Sequence, residues 1–151
     1  LILKRTIFHP RVSPDKFFSI LKEVDIILSP FYFGMGNTYY QAMAAGTPVV
    51  TYTQDIFRTR HAYAGYKQMG IINPPVAYSP EEYIFICKKL AFNKEYRENI
   101  EKQILSNSGK LLFEDNAIHK EYIQFFESAL EAELKDTHLP NHWETIPQRN
   151  V

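Results

Sequence analysis

The chain has 151 residues, enough for one domain with a real core, and its 45% hydrophobic and 23% charged residues are the balance of a water-soluble globular fold. Its 17 basic and 17 acidic side chains cancel to a formal charge of zero. That excludes a nucleic-acid binder driven by a large basic excess, because counterion release needs many cationic contacts.

The chain opens on Leu1-Ile2-Leu3-Lys4-Arg5, which has no initiator Met and reads as mid-protein sequence; a piece of a longer protein is expected. Thr6-Ile7-Phe8 is short, apolar and β-prone, and Pro10 stops it. Ser13-Pro14 then reads as a helix start, with Ser as N-cap and Pro at the first helical position. Phe17, Ile20, Leu21 and Val24 follow at helical spacing and form one apolar face. Asp25 to Ser29 reads as a buried strand. Gly34 and Gly36 interrupt the segment after it, and the helix over Ala42 to Ala45 is closed by Gly46-Thr47-Pro48. Val49 to Tyr52 has the β-branched bias of another strand.

Arg58 to Met69 reads as a helix closed by Gly70, and Ile71-Ile72 as a stub of strand. Ser79-Pro80-Glu81-Glu82 is a stronger helix start, since Glu82 can complete a capping box with Ser79. Tyr83, Ile86, Cys87 and Leu90 make its inner face. Cys87 is the one cysteine, so neither an internal disulfide nor a cysteine-rich zinc site is possible. Amphipathic helices are expected over 94–106 and 115–134, the last with Ile118, Tyr122, Phe125, Phe126 and Ala129 as its stripe. Residues 135–151 read as a polar tail docked through Trp143, after a domain over 1–134. No apolar run is long enough to span a bilayer and nothing resembles a secretory signal, so a cytoplasmic protein without a membrane span is expected.

Strands alternating with helices indicate an α/β fold: a Rossmann-like parallel sheet with flanking helices, with too few strands for a complete doubly wound domain. In such sheets ligands sit beyond the carboxyl ends of the strands. The turn from Pro30 to Thr38 leaves such an end. Gly34 and Gly36 can take positive φ and carry no Cβ to hold a ligand away, and Asn37 or Thr38 can cap the next helix. The first amides of that helix, with its dipole, form an anion site, and each hydrogen bond to a phosphate there would contribute roughly 1.5–3 kcal/mol. A Gly-x-Gly before a helix often serves only to permit a tight turn. It is neither the dinucleotide fingerprint, which needs a third glycine, nor a P-loop, which needs Gly-Lys-Ser/Thr. His9 and His61 each stand without a carboxylate at triad or metal spacing, and no set of metal ligands is visible.

Three stretches carry a family resemblance: "RTIFHPRVSPDKFFSILKEVDIILSPFYFGMGNTYYQAMAAGTPVVT" from Arg5 to Thr51, "RTRHAYAGYKQMGI" from Arg58, and "SPEEYIFICKKLA" from Ser79. Together they resemble the donor-binding half of the O-GlcNAc transferase (SPINDLY-like) glycosyltransferases, especially the bacterial, TPR-linked type. The spacing matches without gaps through Thr51, and weaker similarity, including "LLFED", runs on to about Leu134. The resemblance implies a GT-B fold, of which this chain would be part of the C-terminal domain. It implies transfer of a sugar, GlcNAc by family habit, from a UDP-sugar to a protein Ser or Thr hydroxyl, inverting and metal-independent. It places the donor diphosphate on Gly36, Asn37 and Thr38. Gln41 falls where the family has an acidic residue on the ribose; glutamine keeps a hydrogen bond and loses its charge-assisted strength. Val12 and Phe17 fall at base-binding positions, although Phe17 also lies on the apolar face of its helix. Arg60 matches a family arginine that faces the phosphates or braces the loop.

No cofactor beyond the donor substrate is implied. The implied partners are the UDP-sugar, a protein acceptor, an upstream N-terminal GT-B domain and TPR repeats. The catalytic base is expected upstream, so the fragment alone would be inactive. Two other readings stand beside this one: a catalytically degenerate binding or scaffold module, and a GT-B transferase for another nucleotide sugar and acceptor.

Overall fold

A computed structural model of the chain describes residues 3–139. It divides into two compact units, Leu1–Phe113 and Glu114–Val151. The boundary expected at 134/135 falls inside the second of these, and Trp143 lies outside the described residues.

The first unit is built from short parallel strands, each preceded by a helix. Helix α1, Pro14–Glu23, starts as its sequence demands: Ser13 Oγ accepts from the Lys16 amide at 3.3 Å, and Pro14 takes the first helical position. Strand β1 is Ile27–Leu28 and helix α2 is Asn37–Ala45. Gly46 ends α2 in the left-handed region, at φ 82°, and donates back to Met43 O at 3.1 Å. Strand β2 is Val49–Tyr52. A 3₁₀ turn over Phe57–Thr59 leads into helix α3, His61–Gln68, and Gly70 follows at φ 65°. Strand β3 is Val76–Ala77. Helices α4, Pro80–Phe92, and α5, Lys94–Ser108, close the unit, with a π-helical turn over Gly109–Phe113.

The strands pair in the order β1-β2-β3, all parallel, with Ile27 opposite Val49 and Thr51 opposite Val76. The mixed α/β class with a parallel sheet and flanking helices is therefore as the sequence indicated. The central strand β2 is the most buried, reading Val49, Val50 and Thr51 in succession, as a strand covered on both faces should. Val49 also shows how the sheet is completed where β3 has not yet begun. Its amide donates to the Tyr66 hydroxyl at 2.7 Å, and that hydroxyl donates to Val49 O at 3.0 Å. A side chain of α3 thus does the pairing that a neighbouring strand would otherwise do.

Around β2 the core gathers Tyr39 and Met43 from α2, Tyr66 and Met69, Leu90 from α4, and Ile100 and Ile104 from α5, all fully buried. Gly65 lets α3 lie against α2: a Cβ there would stand 2.4 Å from Tyr39 Cε1. Cys87 is half-buried beside this core, and burial pushes its thiol pKa up, which suits a packing role rather than a reactive one.

Two expected strands do not form. Thr6-Ile7-Phe8 is irregular rather than a strand, and Ile7 and Phe8 are about four-fifths exposed. The third strand is Val76–Ala77 rather than Ile71-Ile72. Ile71 instead donates to Tyr66 O at 3.1 Å and buries its side chain, finishing the end of α3. The Ser79 start is confirmed with one change. Ser79 Oγ accepts from the Glu82 amide at 3.1 Å, but the Glu82 carboxylate reaches one residue further back, to the Tyr78 amide at 2.7 Å.

In the second unit, helix α6 runs Ile118–Leu134, and Asp115 Oδ1 accepts from the Ala117 amide at 3.0 Å just before it. Tyr122 and Phe126 stack at 6.3 Å between ring centroids, one turn apart.

Candidate functional site

Each parallel strand is entered from a helix that runs the opposite way, so the N-termini of α1, α2 and α3 all lie at the carboxyl ends of the strands. Every residue singled out from the sequence as a donor contact stands at or near one of those N-termini. The structure thus brings them to one end of the sheet, the end where open α/β folds place ligands.

The turn after β1 is held from inside. The Gly34 amide donates to Arg58 O at 2.9 Å, and Arg58 Nε donates to Tyr32 O at 2.8 Å. A Cβ on Gly34 would meet Arg58 O at 3.1 Å, so glycine serves close approach there. The positive φ expected at Gly34 and Gly36 is not used; the described glycines with positive φ are Gly46 and Gly70. Nor does Asn37 or Thr38 cap α2. Gly36 is the cap residue, at φ −85°, and supplies no side-chain acceptor, while Asn37 is already the first residue of the helix.

That correction leaves the amides more open. Among the described residues, the amide of this first turn that has a protein acceptor outside the helix is Tyr39's, on Gly36 O at 2.9 Å. Among the described residues the nitrogens of Gly36, Asn37 and Thr38 have no backbone acceptor and no side-chain cap, and a Cβ at Gly36 would meet nothing within 4 Å. Asn37 is exposed and Thr38 half-buried; Gln41, one helical turn after Asn37, is exposed on the same face. Val12, ahead of α1, and Phe17, on its first turns, are half-buried. Just inside the turn, Phe31 stands edge-on between Tyr52 and Tyr83, at 5.2 and 4.9 Å, and the Tyr83 hydroxyl donates to Ser29 O at 3.0 Å. Burial pushes the Tyr83 pKa up to about 12.

Arg60, the cap residue of α3, reaches a cleft of about 340 Å³ beyond the carboxyl ends of β2 and β3. Its guanidinium lies 3.8 Å from Asp55 and 5.9 Å above the Tyr63 ring. Tyr52, Thr53, Gln54 and Tyr78 complete the lining. The Tyr63 and Tyr78 rings meet edge-on at 6.4 Å. Burial, and then Tyr63, hold the Tyr78 pKa above its ordinary value, while Arg60 pulls the other way. Of these residues the sequence had pointed to Arg60 alone. The rule that ligands gather beyond the strand ends would have found Tyr52 to Asp55 and Tyr78 had it been applied to β2 and β3 as well as β1. Among the described residues no three His, Cys, Asp or Glu side chains gather as a metal site requires, and no helix is long and apolar enough to cross a membrane.

The short-stranded parallel sheet with helices on its flanks is the layering of a domain of a GT-B fold. Comparison with known proteins gives the same class. Residues 2–75 match the family model described as glycosyl transferases group 1. A mutant of the O-GlcNAc transferase of Thermobaculum terrenum is similar in structure, at a TM-score of 0.63 and 18% identity. The match covers 83% of this chain and 22% of that one, so this chain corresponds to under a quarter of that enzyme's length. No curated protein sequence matches the chain.

Proposed function

We propose that the protein is a glycosyltransferase that takes its sugar from a UDP-sugar, and that this chain supplies the donor-binding layer. The observation that carries the reading is the first turn of α2. The amides of Gly36, Asn37 and Thr38 point out of the helix without a side-chain cap, at the carboxyl end of a parallel strand. Fixed amides and a helix dipole can stabilise the charge that grows on departing UDP without reorganising. The Asn37 and Thr38 side chains add further donors to the diphosphate, and Gln41 hydrogen-bonds the ribose. Val12 and Phe17 flank the base.

The finer reading follows the resemblance. GlcNAc is the sugar, a protein Ser or Thr hydroxyl the acceptor, and transfer inverts the anomeric carbon without a metal. One observation favours a second reading: Gln41 stands where the resemblance expects a carboxylate, as in a module that still binds nucleotide but no longer turns over.

Two measurements test this. Adding UDP to the isotope-labelled chain should move the amide resonances of Gly36, Asn37 and Thr38. If those amides stay still while the fold is intact, the donor-site reading fails. In the full-length protein, labelled UDP-GlcNAc should be turned over, and Asn37→Ala with Thr38→Ala should abolish turnover. UDP binding without turnover in the native protein would establish the module instead.

A further inference from the structure

We propose that Arg58 is a positioning residue: it holds the turn that leads into α2 and so sets where the amides of Gly36, Asn37 and Thr38 point. It acts from outside the anion site, through the backbone of Tyr32 and Gly34. That these amides meet a diphosphate rests on the proposed donor reading; the clamp itself does not.

The turn needs such a hold. Phe31 and Met35 at its two ends pack against the core, but between them Tyr32 is 80% and Phe33 62% exposed. Side chains that point into solvent do little to fix the backbone that carries them. Arg58 grips that backbone twice. Its carbonyl accepts from the Gly34 amide at 2.9 Å, and its Nε donates to Tyr32 O at 2.8 Å. The donor of the second bond is charged, which makes it stronger than a bond between neutral groups.

The base of the clamp is itself fixed. Arg58 sits in the 3₁₀ turn Phe57–Thr59, and Thr59 is buried. The Thr59 hydroxyl donates to Ile56 O at 2.8 Å and accepts from the Gln54 amide at 3.1 Å, which ties this turn to the segment just after β2. Gly34 completes the fit. A Cβ there would meet Arg58 O at 3.1 Å and Thr59 Cα at 3.4 Å, so the two turns are in backbone contact. Gly34 stands just ahead of Gly36, the cap residue of α2. A shift at Tyr32 to Gly34 therefore passes to the first turn of α2, and the aim of hydrogen-bond donors decides how well they hold a ligand.

Three variants separate positioning from direct charge. Arg58→Met keeps the aliphatic stem and removes the donor. Arg58→Gln returns an N–H at the place of Nε without the charge, because the glutamine amide nitrogen also follows Cδ. Arg58→Lys keeps the charge one atom further out. Arg58 is exposed, so none of these changes threatens the fold. In the ligand-free, isotope-labelled chain, Arg58→Met should move the amide resonances of Gly36, Asn37 and Thr38 while those of Val49 and Val50 stay in place, and Arg58→Gln should return them. UDP binding should weaken about fivefold to tenfold in Arg58→Met and recover to within about twofold in Arg58→Gln. The proposal is overturned if Arg58→Met leaves the ligand-free amides where they were. It is equally overturned if Arg58→Lys binds UDP as the native chain does and Arg58→Gln does not, since the guanidinium would then meet the phosphates directly. If the native chain binds no UDP, the donor reading fails, and the ligand-free spectra alone decide the clamp.

Discussion

Gly65 is a residue whose importance lies in what it lacks. Its Cα faces the Tyr39 ring so closely that an added methyl would stand 2.4 Å from Cε1 and 2.6 Å from the hydroxyl oxygen. Tyr39 is fully buried and packs edge-on against Tyr66 at 5.6 Å, so it has little room to retreat. Gly65→Ala is therefore expected to destabilise the chain by roughly 1–3 kcal/mol despite alanine's better helix propensity, the usual cost of overpacking. Urea unfolding followed by circular dichroism measures it, and an unchanged midpoint would refute the steric argument. Nothing in the sequence marks Gly65 this way, because its partner is 26 positions away. Ser13, Gly46, Gly70 and Ser79 were legible because a cap or a left-handed turn is settled by the few residues around it.

At the scale of elements, α2 carries the proposed donor site, and the sequence placed the helix while misassigning its cap. Asn37 and Thr38 are good cap residues, so either could be expected to close the helix on itself. The chain starts the helix one residue earlier and leaves Gly36 as a cap with no side chain. Gln41 then faces outward one turn in. A carboxylate at that place would make a charge-assisted bond to a ribose hydroxyl, so Gln41→Glu is expected to tighten UDP binding about fivefold to tenfold, equivalent to roughly 1 kcal/mol. Calorimetric titration of the two proteins with UDP decides it; equal or weaker binding by the variant would remove Gln41 from the ribose. The third strand was misplaced for a related reason. Ile71-Ile72 is the more β-prone pair, but strand identity is fixed by pairing, and it is Pro75 O and Ala77 O that accept from the Thr51 and Thr53 amides.

For the whole first unit, buried phenols couple the fold to pH. Burial raises Tyr83 from an ordinary 10.0 to about 12, and raises Tyr39 and Tyr66 as well. A raised phenol holds its proton more tightly folded than unfolded. Its contribution to stability is complete below pH 10 and is lost as pH climbs toward 12 and beyond. Urea midpoints should therefore be flat from neutral pH to about 9 and fall steadily above 10, and Tyr83→Phe should make the decline shallower. A decline of the same slope in that variant would show that Tyr83 is not among the groups responsible. The α/β class was readable because alternation of strand and helix spans the chain. The cleft was not, since its lining comes from segments that meet only once β2 and β3 lie side by side.

The Tyr66 hydroxyl that completes β2 has one more consequence. Most of the sheet's protons are shielded by peptide groups, which can part only when strands separate. The Val49 proton is shielded by a phenol on a rotatable stalk, so it can swap for deuterium whenever that ring swings aside, with the rest of the sheet still assembled. Uptake at this one position would therefore time the loosening of α3 from the sheet.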